Sequence, residues 1–162
     1  MFLYLSVPQQ TLTVFRSEQE RAEPVRTFEV STALNGIGSE KNSGKTPSGR
    51  LLVRAKIGHD MPVNTVFIGR RPTGEIYSDA LAQSAPDRDW ILTRILWLSG
   101  LEVGQNRLGN VDTMQRYIYI HGTPDTEPMG VPKSHGCIRM RNQDVMALFD
   151  LIPVGTEMVI AS

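Results

Sequence analysis

The sequence predicts a mostly β fold, a β-rich α+β domain, from three observations. Short extended segments separated by turn residues occupy most of the chain, and an amphipathic helix pattern appears only near the C-terminus. The length of 162 residues is typical of one domain and suffices to bury a core without disulfide or metal staples. We therefore expect a single domain over residues 1–162 with few short helices.

The N-terminal half of the chain supplies most of the predicted strands. An apolar run over residues 1–7 stops at Pro8, and Thr11–Phe15 follows it, so this region predicts a pair of strands. Alternation through Phe28 and Val30 predicts another half-buried strand. Further strands are predicted at residues 51–53, 65–68 and 91–97.

Two segments between these strands have a different composition. Residues 34–49 contain Asn-Gly, Ser-Gly and Pro-Ser-Gly turn formers, which predict a long polar loop. Residues 70–88 have few apolar side chains, which predicts a surface excursion. Residues 117–120 form an apolar run, and we expect a short strand there that leads directly into His121.

The clearest helix is predicted near residues 142–152. Asn142 suits the N-cap, apolar residues then fall on one face, and Pro153 and Gly155 end the pattern. A last strand over residues 157–160 is expected to close the chain.

Charge and hydropathy argue against several function classes. Lys and Arg number 17 and Asp and Glu number 17, so the net charge is zero, which argues against a nucleic-acid partner held by a basic face. No run approaches the ~20 apolar residues of a membrane-spanning helix. The first residues lack the basic region of an export signal. We expect a cytoplasmic location, or a periplasmic one if residue 1 is not the natural start.

The only cysteine, Cys137, lies in the segment Ser-His-Gly-Cys-Ile-Arg at residues 134–139. A lone cysteine is commonly a buried structural thiol. Here the neighbours favour chemistry, because His135, Gly136 and Arg139 suit a thiolate that must be formed and oriented better than they suit an apolar core. His121 is the second histidine upstream of the sulfur.

These motifs resemble the catalytic signature of the L,D-transpeptidase family, the YkuD-type domain. His-Gly-Thr at 121–123 and Ser-His-Gly-Cys-Ile-Arg-Met at 134–140 carry the resemblance, and Asn-Gly-Ile-Gly at 35–38 and Lys-Thr-Pro-Ser-Gly-Arg-Leu at 45–51 extend it over essentially the whole chain. It implies a mixed β-sheet or sandwich fold. It also implies a bacterial cysteine enzyme without a cofactor that cleaves peptidoglycan stem peptides between diaminopimelate and D-alanine.

The resemblance also implies residue roles. Cys137 is the expected nucleophile, which forms a thioester, and His121 is the expected base. The backbone carbonyl of Gly122 is expected to fix the tautomer of His121, with Asp125 as the alternative partner.

The remaining expected roles concern the loop that carries the cysteine. His135 is expected to line the site, and the amides of Gly136 and Cys137 to form the oxyanion hole. Arg139 is assigned to substrate binding, with a surface ion pair to an acid such as Asp144 as its alternative. Ser134 is placed with it, and we expect its hydroxyl to brace the turn.

The fate of the thioester is open at this stage. Attack by water gives an L,D-carboxypeptidase that trims tetrapeptides to tripeptides in peptidoglycan recycling. The lack of an export-signal pattern in the first residues favours this outcome. Attack by an amine gives a transpeptidase that forms 3-3 crosslinks or attaches protein to peptidoglycan. A non-catalytic domain that only binds muropeptides is the second alternative. The sequence leaves the oligomeric state open.

The remaining expectations concern metal binding and residues outside the motif. His121, His135 and Cys137 are zinc-ligand types, but their spacing matches no common zinc signature, so we expect no metal. His59 is expected to be a solvated loop residue. The two tryptophans are expected to pack the core, and the alternative for one of them is to line a substrate groove. Asn106 and Arg107 are expected to contact a muropeptide. The sequence leaves open whether residues 70–116 cap the cleft.

Overall fold

The computed structural model describes residues 1–162 and contains ten strands and two α-helices. The strands are β1 (Phe2–Ser6), β2 (Thr11–Phe15), β3 (Arg26–Glu29), β4 (Gly49–Ile57), β5 (Thr65–Ile68), β6 (Arg71–Ile76), β7 (Ile91–Gly100), β8 (Tyr119–Gly122), β9 (Ile138–Met140) and β10 (Glu157–Ala161). The helices are α1 (Asp79–Ser84) and α2 (Asn142–Leu151), and one 3-10 turn covers Gly109–Val111. Neither helix has the length and apolar character that crossing a membrane requires.

All ten strands belong to one sheet. Its main path runs β3-β2-β1-β10-β4-β7-β5-β6, while β8 pairs with β7 and β9 pairs with β8. The pairs β1–β10 and β8–β9 are parallel, and the others are antiparallel. The prediction of a mostly β fold is confirmed.

Strand β7 is the branch point of the sheet. Leu92 pairs with Val66 of β5 and with Gly122 of β8, while Ile95 pairs with Ile57 of β4 and with His121 of β8. Strands β4 and β5 therefore share one edge of β7, and β8 occupies the other. A register shift between Leu92 and Ile95 marks a bulge in β7 beside β8.

The core lies between the sheet and helix α2. Alternate residues of the first two strands are fully buried, for example Leu3 in β1 and Leu12 in β2, which explains why their sequences alternate. Leu148 of α2 packs in the same cluster of 20 buried apolar residues as Ile120 and Ile138. Helix α2 therefore packs against the part of the sheet formed by β7, β8 and β9.

Most sequence-predicted elements match the structure within a few residues. The strand pair at the N-terminus, the strand at 65–68 and the loop at 34–49 are confirmed. Strands β4 and β7 continue beyond the predicted 51–53 and 91–97. The predicted excursion at 70–88 is largely exposed, but it contains strand β6 and the short helix α1, which the sparse apolar pattern did not indicate.

Two predicted boundaries were wrong. Strand β8 begins at Tyr119 and not at residue 117, because Tyr117 has a left-handed backbone with φ of 57°. Asn142 is not the N-cap of α2. Arg141 holds that position without a side-chain hydrogen bond, and the Asn142 side chain instead accepts from Thr93 Oγ1 and donates to the Thr123 carbonyl.

Candidate active site

Parallel pairing of β8 with β9 brings the two halves of the motif together. His121 lies opposite Arg139, and Ile120 lies opposite Ile138, so Cys137 stands at the start of β9 beside Tyr119. Tyr119 and His121 are two residues apart in β8 and therefore face the same side of the sheet. Cys137, Tyr119 and His121 line one cleft.

The Cys137 thiol is bound by the backbone at the start of β8 and just before it. Its Sγ–H donates to the Tyr117 carbonyl at 3.3 Å, and Sγ accepts from the Tyr119 N–H at 3.3 Å. Burial raises the pKa of the thiol to about 12, against the opposing effects of the Tyr119 N–H and of the cations Arg139 and Arg116. The resting cysteine is therefore protonated at neutral pH.

His121 is fully enclosed and has one ring nitrogen fixed. Its side chain is buried, and Nδ1 lies 2.6 Å from the Gly122 carbonyl oxygen. Because a carbonyl only accepts, Nδ1 carries the proton and Nε2 holds a lone pair. Burial lowers the pKa of His121, against the opposing Gly122 hydrogen bond, so the ring is neutral and available as a base.

Gly122 is required by its surroundings as well as by this hydrogen bond. A Cβ at this position would lie 2.6 Å from the Leu92 carbonyl oxygen, which is closer than real Cβ contacts allow. Asp125, the alternative partner for His121, instead accepts from Asn142 at 3.2 Å. The histidine is therefore oriented by a backbone carbonyl and not by a carboxylate.

The loop before Cys137 is braced on both sides. Ser134 Oγ donates to the Cys137 carbonyl at 2.5 Å and accepts from the Gly136 N–H at 3.2 Å. Thr46 Oγ1 donates to the Gly136 carbonyl at 2.9 Å. Gly136 has φ of 138°, a backbone conformation that L side chains rarely adopt.

These contacts decide which amides are available to an oxyanion. The Gly136 N–H is engaged by Ser134 Oγ, so it is not the free donor that the sequence predicted. The Cys137 N–H donates to no group of the protein. Because Thr46 fixes the carbonyl of the trans peptide 136–137, the N–H of the same peptide points the opposite way. The structure thus offers one free amide at the sulfur.

Arg139 forms ion pairs, although not with the predicted acid. Its guanidinium lies 3.3 Å from Asp89 and 3.8 Å from Glu127, and its side chain is only 10% exposed. Asp144 is paired with Arg141 instead. His135 is exposed, lines the cleft and lies 3.7 Å from the other oxygen of Asp89. Asp89 therefore connects the segment before β7 to the cysteine loop.

The cleft has a volume of about 450 Å³, within the range of ligand sites. Besides the motif residues, its walls come from segments distant in sequence. These wall residues are Gly69, Arg70, Asp89, Ile91, Arg116, Tyr117, Ile118 and Tyr119. Both ends of the 70–116 stretch thus line the cleft, and so does its middle at Asp89 and Ile91.

Several residues singled out from the sequence lie outside the cleft. Asn106 is completely buried, and it donates to the carbonyls of Ser48 and Arg50 and accepts from the Glu102 N–H, so its role is structural. Arg107 is exposed and does not line the cleft. His59 is 78% exposed, as expected.

The two tryptophans differ in position. Trp90 packs with Val66 and Leu92 in a small buried cluster, as expected. Trp97 is half-buried beside the cleft wall, where its ring contacts Tyr119 edge-on and lies under the Arg70 guanidinium. Trp97 therefore supports the site without lining it.

Sequence reasoning missed Arg70, Asp89, Arg116 and Thr46. Arg116 donates to the carbonyls of Gly38 and Lys45, which ties the 34–49 loop to the cleft. Only Thr46 had a signal, because it stands in the Lys-Thr-Pro motif at 45–47. No group of three or more His, Cys, Asp or Glu side chains is arranged to hold a metal ion.

Known proteins resemble this chain in part of its sequence and in its fold. The chain is 48% identical over 42 residues to the probable L,D-transpeptidase YbiS of Escherichia coli K12, a match that spans 26% of this chain and 14% of that protein. It is 54% identical over 41 residues to the putative L,D-transpeptidase YqjB of Bacillus subtilis, across 25% of this chain and 23% of that one.

Solved structures resemble the whole chain. An L,D-transpeptidase from Mycobacterium smegmatis superposes with a TM-score of 0.55 at 18% identity, over 99% of this chain and 58% of that one. L,D-transpeptidase 3 from Mycobacterium tuberculosis, in complex with a faropenem-derived adduct, gives a TM-score of 0.55 at 15% identity, over 99% and 60%. The chain thus covers less than two thirds of the length of these proteins, and at such identities the likeness establishes the fold.

The sequence comparison with protein families covers nearly all of the chain. The model of the L,D-transpeptidase catalytic domain matches residues 2–160. The protein therefore belongs to the L,D-transpeptidase (YkuD) catalytic domain family.

Proposed function

We propose that the protein is a cysteine acyl-transfer enzyme that cleaves the bond between diaminopimelate and D-alanine in peptidoglycan stem peptides. The observation that carries this proposal is the Cys137 thiol in the same cleft as His121, whose Nδ1 is fixed by a backbone carbonyl. An imidazole with a free Nε2 beside a thiol is the arrangement that nucleophilic catalysis requires.

Acylation begins with two neutral groups. His121 Nε2 takes the thiol proton as Sγ attacks the carbonyl carbon, because the raised thiol pKa keeps the sulfur protonated until then. The oxyanion of the tetrahedral intermediate faces the free Cys137 N–H. The C–N bond then breaks, the departing D-alanine amine receives the proton from Nε2, and a thioester remains on Sγ.

Deacylation uses the same groups in reverse. His121 takes a proton from the acceptor, the acceptor oxygen or nitrogen attacks the thioester carbonyl, and the thiolate leaves and recovers a proton. With water as acceptor the product is a tripeptide, and with an amine it is a crosslink.

We propose water as the acceptor, which makes the enzyme an L,D-carboxypeptidase of soluble muropeptides from peptidoglycan recycling. The ion pairs of Asp89 with His135 and Arg139 separate the cleft from a neighbouring space of about 200 Å³. Cys137 does not line that second space. Ligand clefts usually measure roughly 300–1,000 Å³, so the second space is small for another stem peptide. For an acceptor that enters through this space, the small volume favours water over a stem peptide.

The test is incubation with disaccharide-tetrapeptide followed by mass spectrometry of the products. Loss of one alanine supports the carboxypeptidase, and dimers that lack the donor's terminal alanine support the transpeptidase. Binding without turnover supports a muropeptide-binding domain and contradicts the proposal.

Matched variants show whether the proposed residues carry the activity. Cys137→Ala is expected to abolish it, and His121→Ala to slow it about 100-fold or more, the usual contribution of a general base. His59→Ala is the control, because that histidine is exposed and does not line the cleft. Equal losses for the His121 and His59 variants would contradict the role of His121.

A covalent probe tests the nucleophile independently of the peptide. Since the Mycobacterium tuberculosis relative carries a faropenem-derived adduct, we expect the same compound to add to Cys137. Peptide mapping that finds the adduct at any other residue would contradict this site.

A further inference from the structure

The cleft is positively charged although the chain is neutral. Its lining includes Arg70, Arg116 and Arg139 against a single acid, Asp89, in a protein with 17 basic and 17 acidic side chains. Such an imbalance attracts an anionic ligand. The three arginines differ in how far groups of the protein already engage their guanidinium groups.

Two of the three guanidinium groups are occupied by the protein. Arg139 faces the carboxylates of Asp89 and Glu127. Arg116 donates to backbone carbonyls of the 34–49 loop at 2.7 Å and 3.3 Å and to a serine hydroxyl there at 3.3 Å. These contacts position both side chains and use their donors.

Arg70 has no carboxylate partner. Its single hydrogen bond within the protein is from Nη1 to the Tyr119 hydroxyl, at 3.0 Å. Its guanidinium carbon lies 4.6 Å from the centre of the Trp97 ring and 4.8 Å from that of Tyr117. The cation is therefore held in place by aromatic faces, which leaves most of its five N–H donors free.

The backbone is left-handed at Arg70 and at the tyrosine that it contacts. Arg70 is the second residue of the two-residue turn between β5 and β6, and it has φ of 64°. Tyr117, which contacts it across the cleft wall, has φ of 57°. Left-handed backbone is unfavourable for side chains other than glycine and asparagine, and such residues cluster at ligand sites. Both residues line the cleft that contains Cys137.

We propose that Arg70 is the carboxylate anchor of this cleft, a specificity residue that binds a free carboxylate of the substrate. The proposal rests on the proposed function, since a stem peptide is the assumed substrate. Two free carboxylates belong to the residues that flank the scissile bond and qualify, that of the departing D-alanine and the one on the side chain of diaminopimelate. The planar guanidinium binds either one through paired hydrogen bonds.

The experiment compares Arg70→Met with Arg71→Met in steady-state kinetics on the tetrapeptide. Both changes remove one positive charge, but Arg71 is exposed and does not line the cleft. We expect KM to rise about 10- to 100-fold for Arg70→Met, the usual loss for a hydrogen-bonded charge, and to stay unchanged for Arg71→Met. The kcat value should change much less than KM, because the anchor acts in binding.

Two modified substrates distinguish the carboxylates. One carries a C-terminal amide on D-alanine, and the other carries an amide on the side-chain carboxylate of diaminopimelate. The substrate that lacks the carboxylate bound by Arg70 should show equal KM values for wild type and Arg70→Met. If both substrates keep the full KM difference, Arg70 binds neither carboxylate beside the scissile bond and the proposal is wrong.

Binding to Cys137→Ala separates this inference from the proposed function. If wild type cleaves the tetrapeptide and the Arg70 and Arg71 variants have equal KM, the anchor is refuted and the function stands. If wild type does not cleave it but Cys137→Ala binds it at least tenfold more tightly than the double variant with Arg70→Met, the anchor stands and the function fails. Should Arg70→Met lose the native fold, Arg70→Lys, which keeps the charge without the planar fork, carries the same comparison.

Discussion

Replacing Thr46 with valine removes one hydroxyl that joins two parts of the site. Thr46 is fully buried, and its Oγ1 accepts from the Ala33 N–H at 3.0 Å while it donates to the Gly136 carbonyl at 2.9 Å. Valine has nearly the same shape, so Thr46→Val leaves the packing intact and deletes only these two hydrogen bonds. Both backbone partners then remain buried without a partner.

The expected cost follows from those two groups. An unsatisfied buried donor or acceptor costs about 1–3 kcal/mol, so the two together give about 2–6 kcal/mol, and we expect ~3 kcal/mol after local relaxation. For a domain of this size each kcal/mol lowers Tm by about 2–4 °C, which predicts a fall of about 6–12 °C. Activity should fall as well, because the peptide that presents the Cys137 N–H loses its anchor.

The assay is thermal and urea unfolding of wild type, Thr46→Val and Thr46→Ser. Serine keeps the hydroxyl and loses only a methyl group, so its stability should lie close to that of wild type. Activity on the tetrapeptide is measured below the Tm of all three proteins. Equal stability of the valine and serine variants would refute the reasoning that this hydroxyl supports the loop.

Three further predictions concern charge and burial. Because burial lowers the pKa of His121, the unfolded chain binds a proton below about pH 6.5 that the folded chain does not bind. The free energy of unfolding of wild type should therefore fall by up to ~1.4 kcal/mol per pH unit on acidification. Urea unfolding at pH 7 and 5 should show a smaller fall for His121→Asn. Because burial raises the pKa of Cys137 to about 12, alkylation by iodoacetamide without substrate should rise about tenfold per unit from pH 8 to 10, and a plateau near pH 8 would contradict this. Asn106→Leu should lower the urea midpoint without changing KM, since three backbone groups lose their buried partner.

The parts of the fold that the sequence predicted are those with a one-sided burial pattern. Leu12 and Val14 in β2 are fully buried while Thr13 between them is not, so alternation identifies that strand. Strand β6 has no buried residue and helix α1 has none either. Without a buried face there is no periodic signal, and their existence depends on pairing with β5 and on local hydrogen bonds.

The errors at Tyr117 and Asn142 have a shared cause. Tyr117 belongs to an apolar run, yet a left-handed backbone takes it out of the strand so that its carbonyl meets the Cys137 thiol. Asn142 has the ideal residue type for a cap, yet its amide bonds the segment that follows His121. In both cases a contact at the site overrides the local preference.

The candidate site divides in the same way. Its chemical groups are close in sequence and form a motif, so Cys137, His121 and Gly122 were predictable. The charged residues of the cleft wall were not predictable, because Arg70 and Asp89 reach the cleft only through the pairing of β5, β7 and β8. No spacing rule connects an arginine in a hairpin turn with a thiol 67 positions later in the chain.

Asp89 has opposite effects on the readiness of His121 to accept a proton and of Cys137 to lose one. Its carboxylate raises the pKa of His121, which favours proton uptake by the base, and it also raises the pKa of Cys137, which disfavours the thiolate. Burial acts on both groups more strongly and keeps both neutral at rest. In the proposed reaction, proton transfer from Cys137 to His121 becomes favourable only when the negative charge moves from sulfur to the substrate oxygen, where the Cys137 N–H receives it. A buried neutral pair suits an enzyme whose nucleophile must be inert without substrate and reactive with it.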